Sequence, residues 1–298
     1  MCRVLTLMYH RVNRLKQDKN YLAVVPDVFY EQMFFLKKNY PIVRLEQDWN
    51  ELDQDAVCVT FDDGYMDNYT NALPILQELE IPATIFISTG GINTYKEFWW
   101  DELERILLFK EDRPGATFSL KDKLFSCKWP VESFLERDAL YDTLVWLIKD
   151  KISVNDRENW MQQFRDWSNS EEQDGENLLL QTDQIPMDSQ LMTIGAHTVN
   201  HACLNSLTER EQSYEIGESV RTLENLFGRT VSIFSYPFGA YNKISIEICK
   251  KEHITKAVTT SPGLWTSGCD AYQIPRFIVR NWSEAEYIQR ICGCWNSM

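Results

Sequence analysis

Val57-Cys58-Val59-Thr60-Phe61-Asp62-Asp63-Gly64-Tyr65 decides how the rest of the chain is read. Its apolar half fits a short buried strand, and Asp-Gly directly after it signals a turn. Two adjacent carboxylates end a structural strand poorly, because like charges repel unless a cation or a shared proton compensates them. The stretch therefore predicts a strand that delivers one carboxylate to a metal and the other to proton transfer, and the partners must be sought elsewhere.

Bulk properties narrow the search. A chain of 298 residues suffices for one large α/β domain or two smaller ones. A formal net charge of -14 counts against a nucleic-acid partner, which calls for clustered Lys and Arg. No stretch approaches the roughly 20 apolar residues of a membrane span. The opening Met1–His10 has one basic residue, breaks at His10-Arg11 and lacks a small-residue cleavage site, so the expected compartment is the cytoplasm. The eight cysteines form no Cys-x-x-Cys pair and are read as reduced thiols.

Outward from the central strand, a βα rhythm emerges. Residues 3–9 read as a first strand, 26–38 as a helix with Phe29, Met33 and Leu36 inward, and 42–45 as a short strand. A helix over 69–79 leads to a buried strand at 83–87, a βαβ unit that implies parallel pairing. Residues 91–190 change character, being rich in Trp and charge with amphipathic runs near 99–110, 131–150 and 155–167. They are expected to form an inserted helical subdomain, with an acidic loop from Ser168 to Gly175. The rhythm resumes with strands at 192–196, 231–234, 256–260 and 274–279. Helices at 208–227 (Thr208 and Glu211 forming a capping box), 242–251 and 284–291 lie between and after them. Repeated βα units around a parallel core suggest a closed or distorted barrel, whose catalytic groups sit at strand C-termini. His10, Asp62, Asp63 and His197 all fall at such ends.

His197-Thr-Val-Asn-His201 supplies the partners. Two imidazoles at i, i+4 on one helical turn can face a single ion. Together with Asp63 they make a hydrolytic zinc site or a related divalent-metal site with positions open to water.

At this point the residues carry a resemblance. Thr60-Phe-Asp-Asp-Gly64 with His197-Thr-x-x-His201 and Phe234-Ser-Tyr-Pro-Phe-Gly239 resembles the polysaccharide deacetylases of carbohydrate esterase family 4, motif by motif and in the same order. The resemblance covers about 1–90 and 190–280. It implies an α/β fold, a distorted (β/α) barrel of the polysaccharide deacetylase type, with the insert outside it. It implies a bound divalent metal, zinc first with cobalt, nickel or iron as alternatives, and hydrolysis of an N-acyl amino-sugar or glycan precursor. By position Asp63, His197 and His201 match the metal ligands and Asp62 the general base. The backbone N–H of Tyr65 would hold the oxyanion. Tyr236, Pro237, Phe238 and Gly239 match a loop beside the substrate.

Two departures need substitutes. The family's usual acid, a histidine in a C-terminal Leu-x-His motif, is missing. His253 falls on a helix-to-strand connection and reads as a surface residue. His10, in Leu7-Met-Tyr-His-Arg-Val12, is the candidate, and it resembles the permuted arrangement of poly-N-acetylglucosamine deacetylases, where an N-terminal strand brings the histidine. Its near-neutral pKa suits the task. The usual third-motif arginine is replaced by Ser235, and Arg276 on the last strand is the candidate to orient Asp62, with Arg11 as an alternative. In Phe98-Trp-Trp-Asp101, Trp100 and Asp101 are candidates for stacking on a sugar and binding its hydroxyl; packing of the insert is the competing reading. The alternatives in function are a deformylase or deacylase of a lipid- or nucleotide-linked sugar, or a catalytically silent glycan-binding barrel.

Overall fold

All six residues of Val4–Tyr9 and all six of Ala56–Phe61 are buried. Strands with no solvent face are what a parallel sheet covered on both sides requires. Each Val, Leu, Ile or Phe so buried contributes about 1.5–3 kcal/mol, which makes these runs the nucleus of the core. The computed structural model describes residues 2–109, 115–121, 126–170, 177–185 and 191–296. The chain divides into two units, Met1–Thr94 with Leu179–Met298, and Tyr95–Leu178.

The first unit begins with β1 (Val4–Tyr9), β2 (Arg11–Val12), β3 (Ala23–Val24), α1 (Pro26–Asn39), β4 (Ala56–Phe61), α2 (Leu73–Glu78) and β5 (Ala83–Ile87). The second unit holds α3 (Trp99–Glu104), β6 (Thr117–Lys121), β7 (Ser126–Pro130), α4 (Phe134–Asp150) and α5 (Val154–Ser168). The chain then returns through β8 (Met192–Ala196), α6 (Glu209–Phe227), β9 (Ile233–Ser235), α7 (Lys243–Lys251), β10 (Lys256–Val258), β11 (Phe277–Ile278) and α8 (Glu284–Asn296).

Seven strands form one parallel sheet in the order β10-β9-β8-β5-β4-β1-β11. The sheet curls into a distorted barrel, and its seam lies in the last strand region. Ile274 N–H donates to Ala257 O (3.0 Å) and Thr259 N–H to Ile274 O (2.9 Å), whereas Val279 N–H donates to Met8 O (3.0 Å). The segment thus leaves β10 and joins β1 within a few residues. Pro275, which has no N–H for a ladder, stands where the partner changes. This is why the strand expected over 274–279 narrows to Phe277–Ile278.

Other expectations change for equally local reasons. Residues 42–45 contribute one bridge, Ile42 to Val57, rather than a strand. The helix expected over 69–79 starts as a wide π turn at Asn68–Ala72 and tightens into α2, because Pro74 has no N–H to close an α turn there. The expected helical insert also carries a hairpin. Phe118 and Leu120 are buried between exposed Thr117, Ser119 and Lys121, a period of two that directs β6 onto β7. The insert's unit lies inside the expected 91–190. Leu180 N–H already donates to Gly64 O (2.9 Å), and Leu179 bridges Tyr65. Most of the acidic loop and residues 186–190 lie outside the described residues. No described helix is long and apolar enough to cross a membrane.

Candidate metal centre and proton-transfer residues

Asp62 and Asp63 leave β4 in different conformations. Asp62 continues the strand, its N–H donating to Tyr9 O at 3.0 Å, which holds the ends of β1 and β4 level. Asp63 has φ 77°, and Gly64 N–H donates back to Asp62 O at 3.0 Å. That is a γ-turn of the strained, positive-φ kind, costing on the order of 1–3 kcal/mol. Gly64 follows at φ 86°, and a Cβ there would stand 3.0 Å from Ile87 Cγ2. Only glycine suits that position, and the turn separates the two carboxylates.

His197 and His201 come to Asp63 on a loop after β8, not on the helical turn expected from their spacing: Thr198 has φ 63° and His201 φ 50°. His197 Nε2 lies 3.4 Å and His201 Nε2 3.1 Å from Asp63 Oδ1. Three ligand atoms, one from each residue, lie within 4.8 Å of one another, and all three residues are buried. His197 Nδ1 donates to Ser235 O at 2.7 Å, so the neutral ring presents a lone pair at Nε2. Burial pushes the Asp63 carboxyl up, but its close contacts with the His197 and His201 rings outweigh it and hold the group well below the usual range. Burial likewise holds His201 below the ordinary histidine value, against the pull of Asp63. An ionised oxygen facing the Nε2 lone pair of His197 needs positive charge between them. Two imidazoles and a carboxylate in a buried cluster fit a divalent cation on that ground.

Two residues invisible to motif reading hold this loop. Glu215 of α6 accepts from the N–H groups of Val199 (3.0 Å) and Asn200 (2.8 Å) and from Asn200 Nδ2 (2.7 Å). Ser88 donates its hydroxyl to His197 O (2.9 Å) and its N–H to Asp63 O (3.2 Å), tying two ligands' backbones together. A carboxylate at a buried position of α6 is a signal for Glu215; Ser88 leaves none. Gly90 allows the close approach, since a Cβ there would lie 2.8 Å from Val199 O.

Asp62 meets a different set of groups. Arg276 donates from Nη1 to Oδ1 (2.7 Å) and from Nη2 to Oδ2 (2.6 Å), a two-pronged pair. Its other contacts fix the fork: Nε to Thr259 O (2.8 Å), Nη1 to Thr60 Oγ1 (3.1 Å) and Nη2 to Ser235 Oγ (2.9 Å). Ser235 in turn donates to Asp62 Oδ2 at 3.2 Å. Burial raises the Asp62 pKa, yet the charge and hydrogen bonds of Arg276 more than offset it, so the carboxyl stays below its ordinary value. Arg11, the alternative, is taken up by Asp67 at 2.9 Å and lies over the Tyr65 ring at 4.2 Å.

His10 follows β1 beside this pair. Its carbonyl accepts from Asn68 Nδ2 at 2.8 Å, and its buried Nδ1 has no hydrogen-bond partner among the described residues. Burial lowers its pKa. Asp63 and Asp62 oppose that shift, while Arg276 and Arg280 add to it.

The candidate substrate residues separate by exposure. Tyr65 is buried, its ring under the Arg11 guanidinium. Tyr236 and Pro237 are also buried, Tyr236 stacking on Tyr241 at 4.5 Å. Phe238, at φ 59°, is half-buried and stands edge-on to the His201 ring at 4.5 Å. Gly239 has φ 67°, and a Cβ there would overlap Thr260. Trp100 and Asp101 belong to the other unit. There Trp100 stacks on Phe98 at 4.2 Å, and both it and Asp101 are buried. His253 is exposed.

The chain is similar to known proteins. The sequence pattern of the family described as polysaccharide deacetylase matches residues 50–109 and 182–257. YxkH of Bacillus subtilis, named for the same family, is 24% identical over 277 residues, 91% of this chain and 69% of its own. The poly-beta-1,6-N-acetyl-D-glucosamine N-deacetylase of Staphylococcus epidermidis is 22% identical over 299 residues, 93% of this chain and 79% of its own. The Streptococcus pyogenes deacetylase PplD, solved in complex with acetate, shares the fold with a TM-score of 0.62 and 20% identity over 97% of each chain.

Proposed function

The chain belongs to the polysaccharide deacetylase family, and on that premise we propose that it is a metal-dependent hydrolase removing N-acetyl groups from an amino-sugar glycan. One observation carries the reading: a carboxylate kept ionised by a two-pronged arginine stands next in sequence to the carboxylate of an Asp/His/His cluster. Asp63, His197 and His201 would hold the ion, which we assign as zinc; when bound it supplies Lewis acidity toward the acyl oxygen and lowers the pKa of water.

The chain's own residues do the rest. Asp62 accepts a proton from the attacking water, and Arg276 keeps it charged and aimed until then. The Tyr65 N–H donates to the oxygen that gains charge as the carbonyl carbon becomes tetrahedral. His10 gives a proton to the sugar nitrogen as the C–N bond breaks, so that acetate and a free amine leave. Phe238 and Gly239 line the approach beside His201. The Staphylococcus relative is named for a poly-N-acetylglucosamine and the Streptococcus structure holds acetate; both point to the N-acetyl group here.

The test is acetate release from N-acetylglucosamine oligomers by zinc-loaded protein. Release that a chelator abolishes and zinc restores is the expected result. No release from any acetylated amino-sugar, with zinc bound, would overturn the reading.

A further inference from the structure

A cavity of about 450 Å³ is lined by Asn13, Asp18, Tyr21, Arg280, Asn281 and Trp282 among others. Asn13 follows β1 and Arg280 to Trp282 follow β11, so the cavity lies at the C-terminal ends of these strands, the end that also bears Asp62, Asp63 and His197. Its volume falls in the range of small-molecule sites, roughly 300–1,000 Å³. The charge of Arg280 reaches His10.

The lining has a specific chemistry. Arg280 is half-buried and forms no ion pair among the described residues. Its Nη1 donates to the carbonyls of Asn20 and Tyr21, which leaves Nε and Nη2 without a protein partner among the described residues. A half-desolvated guanidinium with unused donors suits the acceptor oxygens of a ligand. Asp18 is satisfied by the N–H groups of Leu22 and Ala23, both at 2.8 Å, so it shapes the loop and does not neutralise Arg280 by contact. The Arg290 guanidinium covers the Trp282 ring at 4.4 Å, and Trp282 and Tyr21 add aromatic surface to the cavity. Asn281 accepts from Val25 N–H at 3.1 Å, which fixes its amide at the rim. Aromatic surface flanked by amides and a guanidinium, with little net charge, matches an uncharged sugar ring: apolar faces for the rings and equatorial hydroxyls for the donors.

We infer that this cavity is a second sugar subsite, holding the residue next to the one that is deacetylated, with Trp282 packing on its ring and Arg280 donating to its oxygens. The inference rests on the deacetylase reading for its ligand class and extends it. The substrate spans at least two sugars, and its neighbouring unit lies on the His10 side of the site.

Binding can be measured apart from turnover. Metal-stripped protein is titrated with the N-acetylglucosamine pentamer and with the monosaccharide by calorimetry, for the wild type and for Arg280→Gln and Trp282→Leu. Melting curves check that each variant is folded. The wild type is expected to bind the pentamer more tightly than the monosaccharide, and each variant to weaken pentamer binding by about tenfold or more, the scale of a buried Trp or Arg contact. Trp282→Leu leaves the Arg280 contacts to the 20–21 carbonyls in place, so a loop disturbance in Arg280→Gln does not decide the outcome alone. Equal pentamer affinity in the wild type and both variants, or no preference of the wild type for the pentamer, overturns the subsite. Absence of acetate release with pentamer binding intact overturns the deacetylase reading and leaves the subsite standing.

Discussion

Asp62 and Asp63 are neighbours in the chain, yet one is held by side-chain charge and the other by backbone strain. Asp63 sits in a γ-turn and meets two histidines on a loop that also enters the left-handed region. Its geometry depends on clamps that carry no charge to the ligand, Ser88 and Glu215. Asp62 ends a regular strand and needs no unusual backbone, but it is buried and relies on one guanidinium and one hydroxyl. On the proposed function, affinity for the ion and speed of proton transfer are set by different residues, although the two carboxylates share a peptide bond. Substitutions should therefore separate them.

The largest separation is expected from Asp62→Asn. Acetate release should fall about 10²–10⁴-fold, the usual worth of a general base, with zinc content unchanged by atomic absorption. Parallel loss of zinc would merge the two halves into one. His10→Gln should cost about 10²-fold on the amide and much less on an aryl acetate ester, whose leaving phenolate needs no proton; equal losses on both would remove His10 from the acid role.

Arg276→Met tests the charge half through stability. Removing the partner of a buried charge costs about 3–5 kcal/mol, read as a lower denaturant midpoint. Lysine at 276 should restore part of this but not the turnover, because a point charge cannot engage both carboxylate oxygens. Glu215→Ala acts only on the strained half: zinc affinity should drop roughly 10–100-fold, as for other residues that support metal ligands, and activity should return at excess zinc. The smallest effect is expected for Ser235→Ala. Its carbonyl still accepts from His197 Nδ1, so zinc affinity should hold while turnover falls about tenfold, the scale of one hydrogen bond to a charged group.

The same contrast explains what could be read in the sequence. The core strands β1 and β4 announce themselves as apolar runs broken only by Thr6 and Thr60, and α6 as a capped amphipathic helix, since both are local patterns. Asp63, His197 and His201 stand out by residue type at strand ends. Their geometry does not, because i, i+4 spacing reads equally as a helical turn or as a loop, and the loop is chosen by Glu215 and Ser88 through bonds to backbone that leave no spacing signature. The loss of an arginine at Ser235 can be seen from the motif. That the serine itself bonds both Asp62 and Arg276 requires the two chain ends to be brought together. The hairpin of the insert is written in the alternation of Phe118 and Leu120, but five residues of alternation are outweighed by the long amphipathic runs around them.

The seam of the barrel couples closure of the sheet to the setting of one carboxylate. The candidate cation ligands lie on the loops after β4 and β8 and are held by Ser88 after β5 and Glu215 of α6, with the carbonyl that orients His197 following at Ser235 of β9. The guanidinium that charges and aims Asp62 comes from residue 276, on the segment that docks between β10 and β1. On the proposed function, the contact that closes the barrel is thus also the one that charges and aims the base.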